Sequence, residues 1–107
     1  MISVEVLQDR NSNYLGLKVT GHALKFFNIR GVNTLFAAVS VLAQTLLVYL
    51  LETKKELAVQ KVASGYLEFK LNEAHPELNS NFELILNGIR IFKDKYPKDI
   101  EFIKRIE

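Results

Sequence analysis

His22 is the residue of this sequence best placed to do chemistry, because it lies between a predicted strand and a predicted helix. Gly21-His22-Ala23 ends the strand, and after an irregular segment the chain reaches a helix start at Asn33. An imidazole facing the first turn of an apolar helix suits a cysteine nucleophile, since unpaired amides and the helix dipole lower the pKa of a thiol there. The chain contains no cysteine. It cannot carry that reaction as written.

Two hydroxyl groups near the same helix start are the alternative nucleophiles. Thr34 lies in the first predicted turn, and Ser40 lies further into the helix. Hydrolysis at Thr34 would need His22 as its base and an oxyanion hole, and local sequence demonstrates neither. An enzyme with non-cysteine chemistry at His22 and Thr34 stays open as an alternative.

Metal and phosphate chemistry have weak support in the sequence. The absence of cysteine excludes disulfides and thiolate metal sites. His22 and His75 alone cannot form a three-ligand zinc site, and we interpret His75, beside Pro76, as structural. The five glycines are scattered singly, so no phosphate-binding loop is present. We therefore expect no metal and no cofactor.

Alternating apolar and polar residues predict most of the strands. Residues 2–6 and 15–19 alternate on either side of a polar loop at 9–13, which predicts a β-hairpin. A third strand opens near residue 57, Ser64-Gly65 is typical of a hairpin turn, and residues 67–71 form the next strand.

Two helices and a last strand complete the predicted order. The first helix takes Asn33 as its N-cap and continues through Leu51. The second begins with a capping box, Ser80-Asn81-Phe82-Glu83, and ends before Pro97. A terminal strand follows around residues 100–106. The order is ββαββαβ.

This order predicts one α+β domain over residues 1–107, with a mostly antiparallel sheet packed with two helices on its apolar face. The first helix is apolar around nearly its whole circumference, so it must be covered by the sheet and by a second helix or another subunit. Its apolar run, residues 35–51, is shorter than the roughly 20 residues of a membrane span. We expect a buried helix, no membrane partner, and a homodimer that buries the remaining apolar surface.

Charge and the start of the chain bear on partners and location. Fourteen basic and twelve acidic residues give a net charge of +2, so attraction to nucleic acid is not expected by default. The first residues lack both a basic leader and a long apolar core, which predicts a cytoplasmic location.

The motifs around the helix start resemble those of the ribosomal-processing cysteine proteases called Prp, a family first described as a domain of unknown function, DUF464. That family has Gly-His-Ala at a strand end and Asp-x-x-Cys-Ala-x-x-Ser at a helix start. Gly21-His22-Ala23 matches the first motif, and residues 33–40, Asn-Thr-Leu-Phe-Ala-Ala-Val-Ser, align with the second. The closing segment with Tyr96-Pro97 also looks like the family's last helix and strand.

The resemblance implies a homodimeric α+β fold whose Cys–His dyad removes an N-terminal extension from a large-subunit ribosomal protein. It assigns His22 as the base. The nucleophile position carries Phe36 and the aspartate position carries Asn33. Phenylalanine has no nucleophilic atom, so no covalent acyl-enzyme can form there. Asparagine can still cap a helix but brings no negative charge.

The segment between the motifs is unusually apolar for a loop. One hypothesis is that aromatic rings fill the groove that holds substrate in an active relative, with small and hydroxyl-bearing residues around it. The residues concerned are Gly21, Phe26, Phe27, Gly31, Thr34, Phe36 and Ser40. The alternative is that the aromatics thicken the core or a dimer interface.

The preferred interpretation is a catalytically silent Prp-like protein that binds a peptide or protein, with the N-terminal segment of a ribosomal protein as the candidate partner. A ribosome- or RNA-associated module is a further alternative. It would use six basic residues near the C-terminus: Arg90, Lys93, Lys95, Lys98, Lys104 and Arg105. Four acids share that segment, which favours a solvated face instead.

Overall fold

The computed structural model describes residues 1–21 and 32–107, with described side chains resuming at Thr34. Five strands form one sheet, in the order β3-β4-β2-β1-β5. The elements in chain order are β1 (Ile2–Gln8), β2 (Tyr14–Gly21), α1 (Val32–Glu52), β3 (Leu57–Ala63), β4 (Tyr66–Leu71), a 3-10 turn (Pro76–Leu78), α2 (Asn79–Lys95) and β5 (Ile100–Ile106).

Among the residues that the structure describes, three of the four strand pairings are antiparallel, and β5 pairs parallel to β1. In the β1–β2 hairpin Val4 lies opposite Val19, and Val6 lies opposite Leu17. These apolar pairs share one face because side chains alternate along a strand. The predicted α+β fold, with a mostly antiparallel sheet and two helices, is confirmed.

The core lies between this apolar face and the two helices. Its fully buried side chains include Leu17, Phe69, Phe82 and Ile89. The opposite face carries a row of alternating charge, in which Glu5 pairs with Lys18, Lys18 with Glu68, and Glu68 with Lys61. Opposite charges on adjacent strands stabilise a solvated sheet surface modestly.

Helix α1 buries one side and exposes the other. Leu35, Val39 and Leu50 are buried in the core, whereas Val41 and Val48 are more than half exposed. The segment Thr34–Glu52 is long and apolar enough to cross a membrane by length and composition, and 39% of it is buried within the fold. The buried side is what a core helix of this fold requires. The exposed side is uncovered by the part of the chain that the structure describes.

Both predicted helix starts are corrected. Helix α1 begins at Val32, so Asn33 lies inside its first turn and is not the N-cap. Helix α2 begins at Asn79, its N-cap is Leu78, and no side chain caps it. The 3-10 turn runs directly into α2, which leaves Ser80 within the helix. The capping-box prediction is therefore wrong.

Asn79 and Glu83, two polar residues at the start of α2, contact the β1–β2 hairpin instead of capping the helix. Asn79 Oδ1 accepts a hydrogen bond from the Tyr14 amide at 3.1 Å, and its Nδ2 donates to Asn13 Oδ1 at 3.0 Å. The Glu83 carboxylate accepts a hydrogen bond from the Tyr14 hydroxyl. For Glu83, a tertiary partner has replaced the predicted local capping interaction.

Candidate functional site

The end of β2 meets the first turns of α1 through a contact between Gly21 and Phe36. A Cβ atom built on Gly21 would lie 2.3 Å from Cδ2 of Phe36 and 2.8 Å from its Cε2. These separations are shorter than any real carbon–carbon contact, so the phenyl ring occupies the space that a side chain at position 21 would need. Phe36 itself is only partly buried and packs on the edge of the core. The structure thus brings together the two predicted motifs at these two residues.

A third element, the turn with Gly65 between β3 and β4, closes the same end of the sheet. The Gly21 amide donates a hydrogen bond to the Gly65 carbonyl at 3.1 Å. Gly65 has a φ of +71°, as the predicted hairpin turn requires, and a Cβ on it would lie 3.0 Å from the Gly21 carbonyl oxygen. Sequence reasoning found this turn but not its role here. Only the pairing of β2 with β4 brings it to Gly21.

Position 36 lies close to the free amides at the start of α1. Phe36 is the fifth residue of the helix, and the first four amides of a helix have no intrahelical acceptor. Side chains on a helix lean toward its N-terminus, so the group at position 36 lies over the first turn. A thiolate would be stabilised at that point by the amides and the dipole. The phenyl ring presents carbon only.

The two hydroxyl candidates do not share this position. Thr34 is exposed and lies two residues before Phe36, which is about 200° around the helix axis. It therefore faces away from the end of β2. Ser40 lies one turn after Phe36 on the same side and is 8% exposed. Its Oγ accepts a hydrogen bond from Gln44 Nε2 at 2.9 Å.

Four predicted site residues lie outside the described residues: His22, Phe26, Phe27 and Gly31. The role of His22 as a base and the filling of a groove by the loop aromatics stay predictions. Asn33 is described as the second residue of α1, without its side chain.

Sequence analysis missed a polar cluster at the opposite end of β2. The Tyr14 ring stacks on Phe82 with centroids 5.2 Å apart and an interplanar angle of 7°. Burial, followed by the hydrogen bond to the Glu83 carboxylate, raises the pKa of Tyr14 to about 12. The partners lie 69 residues apart in the chain, so no local pattern could have indicated them. The cluster fastens the β1–β2 hairpin to α2.

Metal binding finds no support in residues 1–21 and 32–107, where no three His, Cys, Asp or Glu side chains are close enough to hold an ion.

The six basic residues of the C-terminal segment do not form one patch on the surface. Arg105 forms an ion pair with Glu5 at 3.3 Å on the open face of the sheet, whereas Arg90 and Lys104 line a cleft on the helix face.

The family model described as cysteine protease Prp matches residues 1–101, so the chain belongs to the Prp family. The crystal structure of the essential ribosomal processing protease Prp from S. aureus, in complex with a substrate peptide, superposes with a TM-score of 0.82 at 13% identity. That match covers 98% of this chain and 100% of the other.

A second similar structure is SMU.848 from Streptococcus mutans, with a TM-score of 0.75 and 21% identity over 100% of this chain and 96% of the other. The S. aureus Prp in complex with a covalently linked product peptide has a TM-score of 0.78 at 12% identity, over 98% of this chain and 100% of the other. At these identities the likenesses establish the fold. No curated protein sequence matches this chain.

Proposed function

We propose that this chain is a catalytically inactive member of the Prp family that acts by binding a peptide or protein segment. The observation that carries the proposal is the contact of Phe36 with Gly21, in a chain without cysteine. The family resemblance assigns the nucleophile to position 36, where a benzyl group can neither attack a carbonyl nor form an acyl-enzyme.

A peptide is the partner that the family favours. The S. aureus Prp structures contain a substrate peptide and a covalently linked product peptide. This chain keeps the elements that would flank such a peptide, namely the end of β2 and the start of α1. The resemblance makes the N-terminal segment of a large-subunit ribosomal protein the first candidate, which would link the chain to ribosome assembly in the cytoplasm.

Hydroxyl-based hydrolysis is the weaker alternative, because Thr34 faces away from the contact between Gly21 and Phe36. Ser40 is buried and already accepts a hydrogen bond from Gln44. Neither hydroxyl lies where the family resemblance assigns the nucleophile.

A homodimer is part of the proposal, and the exposed side of α1 supports it. Val41 and Val48 are 61% and 51% exposed and line a shallow apolar depression with Thr45. On the neighbouring helix Leu84 and Ile91 are 70% and 57% exposed. A second copy covering these residues would remove from water the most exposed of the large apolar side chains on both helices. Val48→Glu should then shift the sedimentation coefficient from dimer to monomer. A wild-type chain that sediments as a monomer would contradict this part.

Cleavage and binding assays test the proposed function together. The chain is incubated with the ribosomal protein carrying its N-terminal extension, and with a labelled peptide of that extension. We expect no cleavage, no labelling of Thr34 by a fluorophosphonate, and saturable binding of the peptide. Specific cleavage that is lost in His22→Ala would overturn the inactive assignment. Absence of both cleavage and binding would overturn the binding role.

A further inference from the structure

A cleft of about 600 Å³ opens on the helix face of the sheet, between α2 and the strands β1 and β5. Its apolar surface comes from Val6, Leu86 and Phe102. Phe102 is only partly buried, although the corresponding position Ile100, one alternation earlier in β5, is fully buried. Helix α2 therefore covers the beginning of β5 and leaves the later part open.

The cleft is separate from the contact between Gly21 and Phe36. It includes Gln8 and Tyr14, which pair at the turn end of the β1–β2 hairpin. Gly21 lies at the other end of β2, seven residues on, which corresponds to about 23 Å along a strand. A ligand in the cleft would not reach position 36 unless it were longer than the strand.

Strand β5 is the edge of the sheet on this side. The strand order ends with β5, and within the described part of the chain no strand pairs with its outer side. It is seven residues long, and its apolar residues Ile103 and Ile106 are 39% and 52% exposed. Glu101, Lys104 and Arg105 are its charged residues. An edge strand presents unpaired backbone groups to which an extended peptide can add as a further strand.

Positive charge surrounds the cleft. Its lining holds Arg90, Lys93 and Lys104 against the single acid Asp94. Arg90 also forms a partly exposed ion pair with Glu83 at 3.6 Å, outside the cleft lining, so Lys104 is the cation that a ligand would meet first. The Arg90 guanidinium lies 5.9 Å from the centroid of the Phe102 ring, so its charge is held over the apolar surface. Lys93 Nζ donates to the carbonyl oxygens of Pro97 and Ile100 at 2.8 and 2.5 Å. That bond holds the end of α2 to the start of β5.

We propose that this cleft and the β5 edge together bind an extended peptide that adds as a sixth strand and carries apolar and acidic residues in turn at every second position, so that both kinds of side chain lie on the helix face. Apolar side chains would enter the cleft over Phe102, and acidic side chains would meet Arg90 and Lys104. Main-chain hydrogen bonds to β5 would supply affinity, and the cleft would select the side chains. The positive charge of the cleft would also favour acidic peptides over basic ones, since a basic peptide would be repelled.

An RNA strand fits these features less well. Of the six C-terminal basic residues, Arg105 is paired with Glu5 on the opposite face. The cations in the cleft are Arg90, Lys93 and Lys104, and they lie beside a strand edge and an apolar surface. Binding of RNA would use neither the strand edge nor the apolar surface. RNA is therefore treated as an outcome of the test.

The test uses fluorescence anisotropy with labelled peptides that match the length of β5. One peptide carries valine and glutamate in turn at every second position, with threonine between them, a second has lysine in place of glutamate, and a third carries a central proline in the acidic sequence. We expect saturable binding of the acidic peptide and weaker binding of the other two by about tenfold or more, because charge and strand pairing both contribute. Hydrogen exchange should show new protection of amides in β5.

Matched variants locate the binding site. Lys104→Glu combined with Arg90→Gln should weaken the acidic peptide about tenfold, whereas Lys98→Glu, outside the cleft lining, should change it less than about twofold. Phe102→Ala should also weaken binding, with folding checked by urea unfolding. Equal binding of the lysine peptide, equal binding by the double variant, or tighter binding of an oligouridine RNA would each overturn the proposal. Equal binding of the proline peptide would overturn strand addition.

Discussion

The two ends of β2 differ in how they are held and in what they could do. At one end, Tyr14 stacks on Phe82, and its hydroxyl is bonded to the carboxylate of Glu83. At the other end, Gly21 lies under the partly buried ring of Phe36, and the contact is entirely apolar. The Tyr14 end, which is polar, is thus structural. The Gly21 end, where the family resemblance implies catalysis, carries a hydrocarbon ring.

The Gly21 end of β2, the site end, keeps the fold of the Prp family, whereas position 36 carries a side chain of carbon and hydrogen only. The glycine at position 21, the turn at Gly65 and the start of α1 still converge. The Phe36 ring fits beside β2 because Gly21 has no Cβ atom. Loss of catalysis and retention of the fold are therefore compatible.

The largest expected effect is on the free energy of unfolding, and it distinguishes the buried Phe82 from the partly buried Phe36. Phe82 is fully buried between Tyr14 and Phe69, so Phe82→Ala should lower the free energy of unfolding by about 3–5 kcal/mol. Phe36→Ala should cost about 1–1.5 kcal/mol, since the ring is only partly buried. Urea unfolding of both variants measures the difference. An equal cost at position 36 would mean that its ring is a core residue, as the alternative interpretation of the loop aromatics holds.

Much of the fold could be predicted from local sequence, because strands and helices leave periodic patterns. The hairpin of β1 and β2 and the turn at Gly65 follow from alternation and turn chemistry. The meeting of Gly21 with the start of α1 followed from the two motifs and their resemblance to a family.

The remaining features depend on partners distant in the chain. Glu83 satisfies a local capping pattern, yet it bonds Tyr14 across the fold. The parallel pairing of β5 with β1 decides where the cleft forms, and no local pattern contains the strand order. The contact of Gly21 with Phe36 could be predicted because both residues lie in local motifs. The tyrosine cluster was missed because its partners are distant in the chain.

A steric test at the site end comes next in size. Gly21→Ala should lower the free energy of unfolding by about 1–3 kcal/mol, because its Cβ would clash with the Phe36 ring. In a Phe36→Ala background the same change should cost less than about 0.5 kcal/mol, and the coupling would measure the contact. Gly88→Ala is the control, since the atoms nearest to its Cβ would belong to the flexible Leu42 side chain, at 3.2 Å or more. Additive costs at positions 21 and 36 would show that the ring is elsewhere in solution.

At the polar end, Tyr14→Phe should cost about 1–1.5 kcal/mol at neutral pH through loss of the bond to Glu83. The pKa of Tyr14 is raised to about 12 from 10.0, so the folded protein holds this proton more tightly than the unfolded chain does. The associated stability is complete below pH 10 and is lost as pH rises toward 12. Tyr14→Phe should remove that part of the decline.

Tyr66 is the matched tyrosine nearer the site end. Its pKa is also raised, chiefly by the hydrogen bond that its hydroxyl donates to Glu68 at 2.6 Å. Because Tyr66 lies on the open face of the sheet, Tyr66→Phe should change the alkaline decline less than Tyr14→Phe does. Urea unfolding from neutral pH to pH 12 compares the three proteins. A larger change in the alkaline loss of stability for Tyr66→Phe would contradict the conclusion that the Tyr14 end of β2 is the structural one.

The smallest expected effect lies in the β1–β2 turn beside Tyr14. Asp9 Oδ1 accepts hydrogen bonds from the amides of Asn13 and Asn11 at 2.9 and 2.8 Å. The bond from Asn13, the larger cause, lowers the pKa of Asp9 below 3.8. Its contribution to stability is therefore present above that value and is lost as pH falls through the folded pKa.

Asp9→Asn keeps a side-chain oxygen that can accept the same turn hydrogen bonds, and removes only the charge. We expect this variant to unfold with less dependence on pH below 3.8, while carboxyl NMR titration of the wild type reports the lowered pKa directly. An unchanged acid decline in Asp9→Asn would mean that the turn amides are solvated rather than bonded to Asp9. The stability of the Tyr14 end of β2 would then come from the contacts of Tyr14 and Asn79 with α2, without a contribution from the Asp9 turn.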